Sequence, residues 1–589
     1  MKTLPTVRPE APEAPDAAGA PLRPWELVGT IVLFLCWFWL RRGSVYNHPW
    51  DSDETQHLHV VWGWTQGLIP YRDFFDNHTP LFHILFAPIF SILGERPDVV
   101  ELGRWCMVAL DALVVWCTYR IGAQVFSRRT GIVAALLCAF YPNEYFKSGE
   151  FRTDVLWTVL WMATLVLLTK PRLTRGHRFL AGLTFGATFA TSQKTVLLAL
   201  VLLVASVLTC LLIRASRRRP ATPPGTVPSP AEAFTLSFWL GLMLIPGVLL
   251  ASFYLEGAWS QMVYCVIRHN LVTAPGAEPP LSWSDLRNLR FWLIIPAAVA
   301  GWMILNRSTK RDRAGRQVWL LAVGGSYCTL LLGLWTVVSA QDYLPYYPVA
   351  STGAAAGLFW LGRRIVRRLP QHPWVPLLLL AIVLGIEIGW LVKNMHFSDH
   401  RNRFRVEQIR EVLALTRPDE PVLDAKGGSV YRPRAIPYVM ETLTRLRMRE
   451  GLLENDVTGR LIAHRTTVAI NLSWFPRATQ NFVDRNYLYV GLVHVAGKQI
   501  QPDANGTIRF TVEIPNRYVF VDPSGLVSGR LDGGRANDRF EVEAGDHSFQ
   551  PGRPLTGPCY ILVESAFNAG FMPFNKELQA LEPLRKAVN

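Results

Sequence analysis

This sequence is short of charge. Only 18% of its 589 residues are Asp, Glu, Lys or Arg, where a soluble globular chain carries about a quarter. Cysteine is sparse too. The eight residues are scattered, most of them inside apolar runs, with no CxxC pair and no metal-ligand spacing. They read as buried thiols and give no support to a disulfide scaffold. There is no convincing GxGxxG or Walker A stretch, so a nucleotide-binding α/β domain is not indicated. No solenoid repeat is evident.

What the chain has is apolar and aromatic surface: 50% hydrophobic residues, 21 Trp and 30 Phe. That composition fits a bilayer protein with aromatic anchors. A net charge of +15 raises the possibility of nucleic acid. The basic residues, however, fall in short clusters between apolar runs: Arg128-Arg129, Lys170 to Arg178, Arg214 to Arg219, Arg307 to Arg316 and Arg363 to Arg368. This is the positive-inside pattern of a membrane protein, not a nucleic-acid patch. Residues 1–24 are rich in Pro and Ala and are expected to be a disordered cytoplasmic segment. Trp25–Leu40 lacks a small-residue cleavage site and reads as an uncleaved first span.

Eleven apolar segments are candidate spans, near 25–41, 99–119, 131–147, 154–170, 179–191, 195–213, 234–254, 291–306, 317–339, 345–362 and 374–393. Residues 80–93, "PLFHILFAPIFSIL", are apolar but short and contain Pro88. If they crossed the membrane, the basic clusters would end up outside. Placed along the interface, they leave all five clusters cytoplasmic. The expected fold is therefore an α-helical polytopic membrane domain, 25–395, of about 11 spans with outer juxtamembrane helices. After Val392 the composition turns polar. Residues 396–500 read as an extracytoplasmic α/β region. Residues 501–589, with alternating segments such as "IRFTVEI" and "CYILVES", read as a β-rich region of sandwich type.

Just outside the first span lies "WDSDETQHLHVVWGWTQGLIPYRDFFDNHTPLFH", with Asp51, Asp53, Glu54, Asp73 and Asp76. Trp50 to Gly67 predicts an amphipathic helix on the membrane with Asp51 or Ser52 as N-cap. Acids in a first turn favour the helix dipole on structural grounds alone. At a lipid boundary, however, carboxylates are costly and often functional. The same outer face receives "GEFRTD", with Glu150, Arg152 and Asp154, and the turn "SQK" with Lys194. His57 and His59 are two apart, on different helix faces, and do not form a zinc pair.

On these residues the chain resembles the GT-C superfamily of integral-membrane glycosyltransferases. The nearest branch is that of bacterial transferases related to protein O-mannosyltransferases and to the lipid A aminoarabinose transferase. The carrying motifs are Asp53-Glu54 opening an outer helix, "DNHTPLFH" before a second interfacial helix, "FRTD", "TSQKT", and "YLPYYP" at 343–348. One departure is Asn77-His78, where the lipid A transferases have Glu-Lys.

The resemblance implies a sugar donor linked through one phosphate to a polyprenol, and a lipid, glycan or protein hydroxyl as acceptor. It implies that Asp53 takes the acceptor proton while Glu54 or Asp154 orients Asp53 or the acceptor. Arg152, Lys194 and His78 would serve the donor phosphate. Asn77, Arg268, His269 and Tyr343 would line the substrate cavity. No cofactor is expected; Asp51 and Asp53 are the pair that would hold Mg²⁺ or Mn²⁺ if an ion were used. Two rival readings are a lipid or polysaccharide transporter and a non-enzymatic envelope scaffold. A transporter should place charge at mid-membrane depth, and a scaffold leaves the acid–base cluster without a task.

Overall fold

The computed structural model describes residues 22–216, 234–270, 294–308, 311–335, 338–395 and 400–586. Nearly all of the segment 1–24 and most of the loop after Asn270 lie outside the described residues.

A helix occupies each of the eleven apolar segments. In chain order, α1 (Pro24–Asn47) leads into α2 (Ser52–Thr65), α3 (Leu81–Leu93), α4 (Val99–Val125), α5 (Arg128–Phe140) and α6 (Pro142–Ser148). Then come α7 (Thr153–Leu168), α8 (Arg175–Thr191), α9 (Thr195–Ser216), α10 (Leu236–Leu255), α11 (Ile294–Arg307), α12 (Arg311–Leu334), α13 (Tyr347–Arg368) and α14 (Val375–Asn394). Among the described residues, α1, α9, α10, α12 and α14 are long and apolar enough to cross a membrane unaided. The bent pair α6–α7 would be a sixth if it is one span. Others carry buried charge that lowers their hydropathy. Arg104 and Asp111 of α4 are both fully buried and paired within the bundle.

The expected span 131–147 is broken. Pro142 cannot continue the hydrogen-bond ladder of α5, and it pushes Tyr141 into extended backbone. The chain then turns through α6 and enters α7 at an angle of 116°. This break brings residues 147–154 to the end of the bundle where α2 and α3 lie.

The helix α2 starts as expected, with Asp51 as N-cap. It does not lie open along a surface. Residues Glu54 to Gly63 are all buried. The α3 and α4 side covers one face, and residues 426–434 of the C-terminal domain cover the other. Leu58, Trp62, Phe82, Phe86, Val430 and Tyr431 share one apolar cluster across that contact.

The C-terminal domain opens with α15 (His400–Leu415). Its strands are β1 (Val422–Leu423), β2 (Val468–Ala469), β3 (Tyr487–Val490), β4 (Val493–Ile500), β5 (Ile508–Val512), β6 (Asn516–Asp522), β7 (Gly525–Leu526), β8 (Gly529–Leu531), β9 (Ala536–Asn537), β10 (Arg539–Val542), β11 (Gly545–Pro551) and β12 (Cys559–Val563). One sheet runs β1-β2-β4-β12-β6-β10, with β3 on β4 and β7 on β6; a second runs β5-β11-β8-β9. They face each other through Phe520 and Phe549, whose rings stack 3.6 Å apart. The first sheet continues across residue 500, because Ile500 of β4 pairs with Cys559 of β12. A single core serves both halves of the domain.

Candidate active site

The first turn of α2 sorts its two acids. The Asp51 side chain accepts from the Asp53 backbone N–H (2.9 Å), and Glu54 accepts from the Asp51 N–H (3.0 Å). This reciprocal capping fixes the helix start. Successive residues on a helix point about 100° apart, so Asp53 and Glu54 face different neighbours. Glu54 turns inward. Arg104 donates to both its oxygens, at 2.8 and 2.6 Å, and the Phe151 N–H adds a third bond at 3.0 Å. Glu54 is thus sealed in a structural pair and does not orient Asp53 from within the site, as its place beside Asp53 had suggested.

Asp53 stays partly exposed and meets Arg152 at 2.9 Å. Arg152 is a hub. It also reaches Asp51 at 3.4 Å, Asp154 at 3.4 Å and Glu150 at 3.7 Å. Asp154, in the first turn of α7, passes the chain on to Lys194 at 2.9 Å. Lys194 closes it on Asp342 at 2.6 Å. Asp342 is fixed by the Ser339 N–H (2.7 Å) on its carboxylate and by the Tyr327 hydroxyl on its carbonyl. Four separate turns therefore converge on one string of alternating charge.

The C-terminal domain supplies a further member. Lys426 Nζ lies 2.9 Å from Asp53 and 3.1 Å from the Ser52 hydroxyl. Its turn, "DAKGGS", is built around buried Asp424, which accepts from the Lys426 N–H (3.2 Å) and the Ser429 N–H (2.6 Å). Gly427 has φ +89° and lies so close to α2 that a Cβ there would sit 2.8 Å from the His59 Cβ. Only glycine meets both demands at low cost. His59 also donates to the Val430 carbonyl at 2.9 Å, which holds the turn against the helix.

Burial works against the charge on Asp53, but Arg152 and then Lys426 outweigh it and hold its carboxyl well below the usual range. For Arg152, burial is likewise outweighed by Asp53, Asp154, Glu150 and Asp51, and its pKa is raised. Burial pushes Asp51 up.

His78 does not join the string directly. Its ring bonds to Asp76 at 2.9 Å and lies edge-on to His57, with centroids 4.6 Å apart. Burial lowers its pKa, but Asp76, and then the charges of Glu441 and Asp53, raise it above 6.5 overall. Asn77 and His269 belong to a second knot. Both approach Glu441 of the C-terminal domain, at 3.0 and 3.4 Å. The Arg268 side chain is exposed, and its carbonyl accepts from Arg447 at 2.8 Å. Tyr343 follows Asp342 directly and stacks near Tyr347, centroids 6.1 Å apart. Among the described residues no group of three or more His, Cys, Asp or Glu side chains is arranged to hold a metal ion. Asp51 and Asp53 instead face Arg152, Lys147 and Lys426.

Asp342 and Lys426 were not singled out from sequence. Asp342 stands one residue before the quoted motif "YLPYYP". The Gly pair after Lys426 marks a tight turn, but no local signal carries it to a helix 373 positions away.

Residues 77–225 match the family described as dolichyl-phosphate-mannose-protein mannosyltransferase. No curated protein matches by sequence. The crystal structure of ArnT from Cupriavidus metallidurans, bound to undecaprenyl phosphate, is similar with a TM-score of 0.52 at 13% identity, over 79% of this chain and 96% of that one. The fold is that of the GT-C membrane glycosyltransferases. The apo oligosaccharyltransferase of Archaeoglobus fulgidus gives a TM-score of 0.45 at 11% identity, over 88% of this chain and 74% of that one. Within this GT-C frame, the matched family segment carries Asn77, His78, Arg152, Asp154 and Lys194. Asp53, Asp342 and Lys426 lie outside it and join the site through the fold.

Proposed function

We propose that this multi-pass membrane protein transfers a sugar from a polyprenyl-phosphate donor to a hydroxyl group of a lipid, glycan or protein. The reaction takes place on the extracytoplasmic face of the plasma (inner) membrane, where the C-terminal domain also lies. The reading rests above all on the string Asp53–Arg152–Asp154–Lys194 at one end of the helical bundle. It sets a partly exposed carboxylate, Asp53, against Arg152, with Lys194 following beyond Asp154.

In this scheme the acceptor oxygen attacks the anomeric carbon while its proton passes to an Asp53 carboxylate oxygen. The bond from that carbon to the phosphate oxygen breaks, and the configuration inverts. Polyprenyl phosphate leaves with its negative charge stabilised by Arg152 and Lys194. Charge stabilisation of this kind typically contributes about 10²–10³ in rate per group, and a positioned base about 10²–10⁴. Asp154 keeps both cations in place and acts on Asp53 only through Arg152. His78, raised in pKa, adds positive potential at the edge of the site. Asn77, His269 and Tyr343 shape its walls, and Arg268 contributes through its backbone. No divalent ion enters the scheme, and turnover is expected to survive EDTA; its loss would return Asp51 and Asp53 to the role of metal ligands.

The test is incubation of the purified protein with labelled polyprenyl-phosphate sugars. Release of polyprenyl phosphate together with transfer of label is the expected result. Vectorial movement of intact donor across a vesicle membrane, without bond cleavage, would replace the enzyme with a transporter.

A further inference from the structure

Lys426 is the cation of the site with the fewest anionic partners. Arg152 faces four carboxylates, Asp51, Asp53, Glu150 and Asp154. Lys194 faces Asp154 and Asp342, and Lys147 faces Glu150 and Asp51. Lys426 faces Asp53 alone. Asp53 does not depend on it for neutralisation, since Arg152 already lies at 2.9 Å. An ammonium group has three N–H donors. Two of those on Lys426 go to Asp53 and Ser52. Trp474 lies to one side, 5.0 Å from the nitrogen to its ring centre.

The backbone beneath Lys426 is held by hydrogen bonds to Asp424, while its four-carbon stem has rotatable bonds. Asp424 and Gly427 lock the turn, so the ammonium group can change partners without moving the domain. A carboxylate held far below its usual pKa is a weak proton acceptor. In the arrangement seen here, Asp53 is charged but of low basicity. An anion that draws Lys426 off Asp53 would raise the basicity of Asp53 at the moment the donor is in place.

We infer that Lys426 is a phosphate ligand contributed by the C-terminal domain, parked on Asp53 until the lipid-linked donor arrives. The inference rests on the polyprenyl-phosphate reading above. It makes the soluble domain a working part of the active site and not merely its cover. A charge-assisted bond of this kind to phosphate is worth roughly tenfold or more in affinity.

The experiment measures binding of undecaprenyl phosphate, and of uncharged undecaprenol as control, to the full-length protein in detergent. Lys426→Met is expected to weaken undecaprenyl phosphate about tenfold or more and to leave undecaprenol unchanged; Lys426→Arg should keep most of the phosphate affinity. Wild-type affinity for undecaprenyl phosphate in Lys426→Met, or equal loss of both lipids in Lys426→Met and Lys426→Arg, would reduce Lys426 to an interdomain tether and overturn the inference alone. If the wild-type protein does not distinguish the two lipids, the donor class itself is wrong and the inference falls with it.

Discussion

Arg41 and Arg152 are both ringed by carboxylates, and the contrast between them separates scaffold from site. Arg41 sits between α1, α4 and α6. It bonds Asp111, the Tyr145 carbonyl and the Ser148 hydroxyl, with Glu144 at 4.0 Å. Every charged side chain there is 0–1% exposed. Around Arg152, by contrast, Asp51 and Asp53 remain about 30% exposed and Lys194 23%. The two clusters use the same residue types and similar distances. They differ in access at one edge: Arg152, Glu150 and Asp154 are nearly buried, but Asp51, Asp53 and Lys194 are open. A sealed pair resists any ligand, because parting it leaves a buried charge uncompensated. Glu54–Arg104 belongs with the sealed kind, although Glu54 is the next residue after Asp53.

The largest effect is expected on the sealed side. Arg104→Met should leave the Glu54 charge buried and unpaired and destabilise the protein by about 3–5 kcal/mol, read as a lowered thermal midpoint in detergent. Adding Glu54→Gln should restore much of the loss. A single mutant that melts like the wild-type would place Glu54 with the open cluster. On the open side, Lys194→Met should lose transfer by about 10²–10³ at a smaller cost in midpoint, because Asp154 keeps Arg152 and Asp342 keeps the Ser339 N–H; a fall in midpoint as large as that of Arg104→Met would make Lys194 structural.

A smaller effect is expected at the join between domains. Gly427→Ala imposes a left-handed backbone costing about 1–2 kcal/mol and a contact with His59. It should loosen the Lys426 turn and weaken undecaprenyl phosphate binding in the manner of Lys426→Met; unchanged binding would mean that the turn has slack. The smallest effect concerns pH. The pKa of His78 is raised above 6.5 by Asp76 and its neighbours. Its contribution to stability is therefore full below 6.5 and is lost as the pH climbs through the raised value. The stability gap between wild-type and His78→Gln should narrow as the pH rises above 6.5; a gap that widens would show that His78 is neutral in the folded protein.

Local features of this protein were legible in its sequence, and long-range ones were not. The eleven apolar segments could be read because helix length and hydropathy are local quantities. So could the α2 start, because an acid at the N-cap and Glu three residues later is a local pattern. The grouping of Asp53, Arg152, Asp154 and Lys194 followed from placing their loops on one face by charge. The divergence of Asp53 from Glu54 was not readable, since it depends on which neighbour each meets one helix position apart. Lys426 and Asp342 join by tertiary contacts that leave no spacing signal. The burial of α2 was missed for the same reason: its cover comes from residues 426–434, far along the chain. The continuity of the sheet past residue 500 was equally hidden, because β4 pairs with β12, which lies beyond all the intervening strands in the chain.

In the proposed reaction Asp53 takes the proton during sugar transfer. Single-turnover transfer from a labelled polyprenyl-phosphate sugar by Asp53→Asn, measured beside the wild-type protein, tests this role. Loss of transfer by about 10²-fold or more, with undecaprenyl phosphate still bound, is the predicted result. Transfer at the wild-type rate would contradict it.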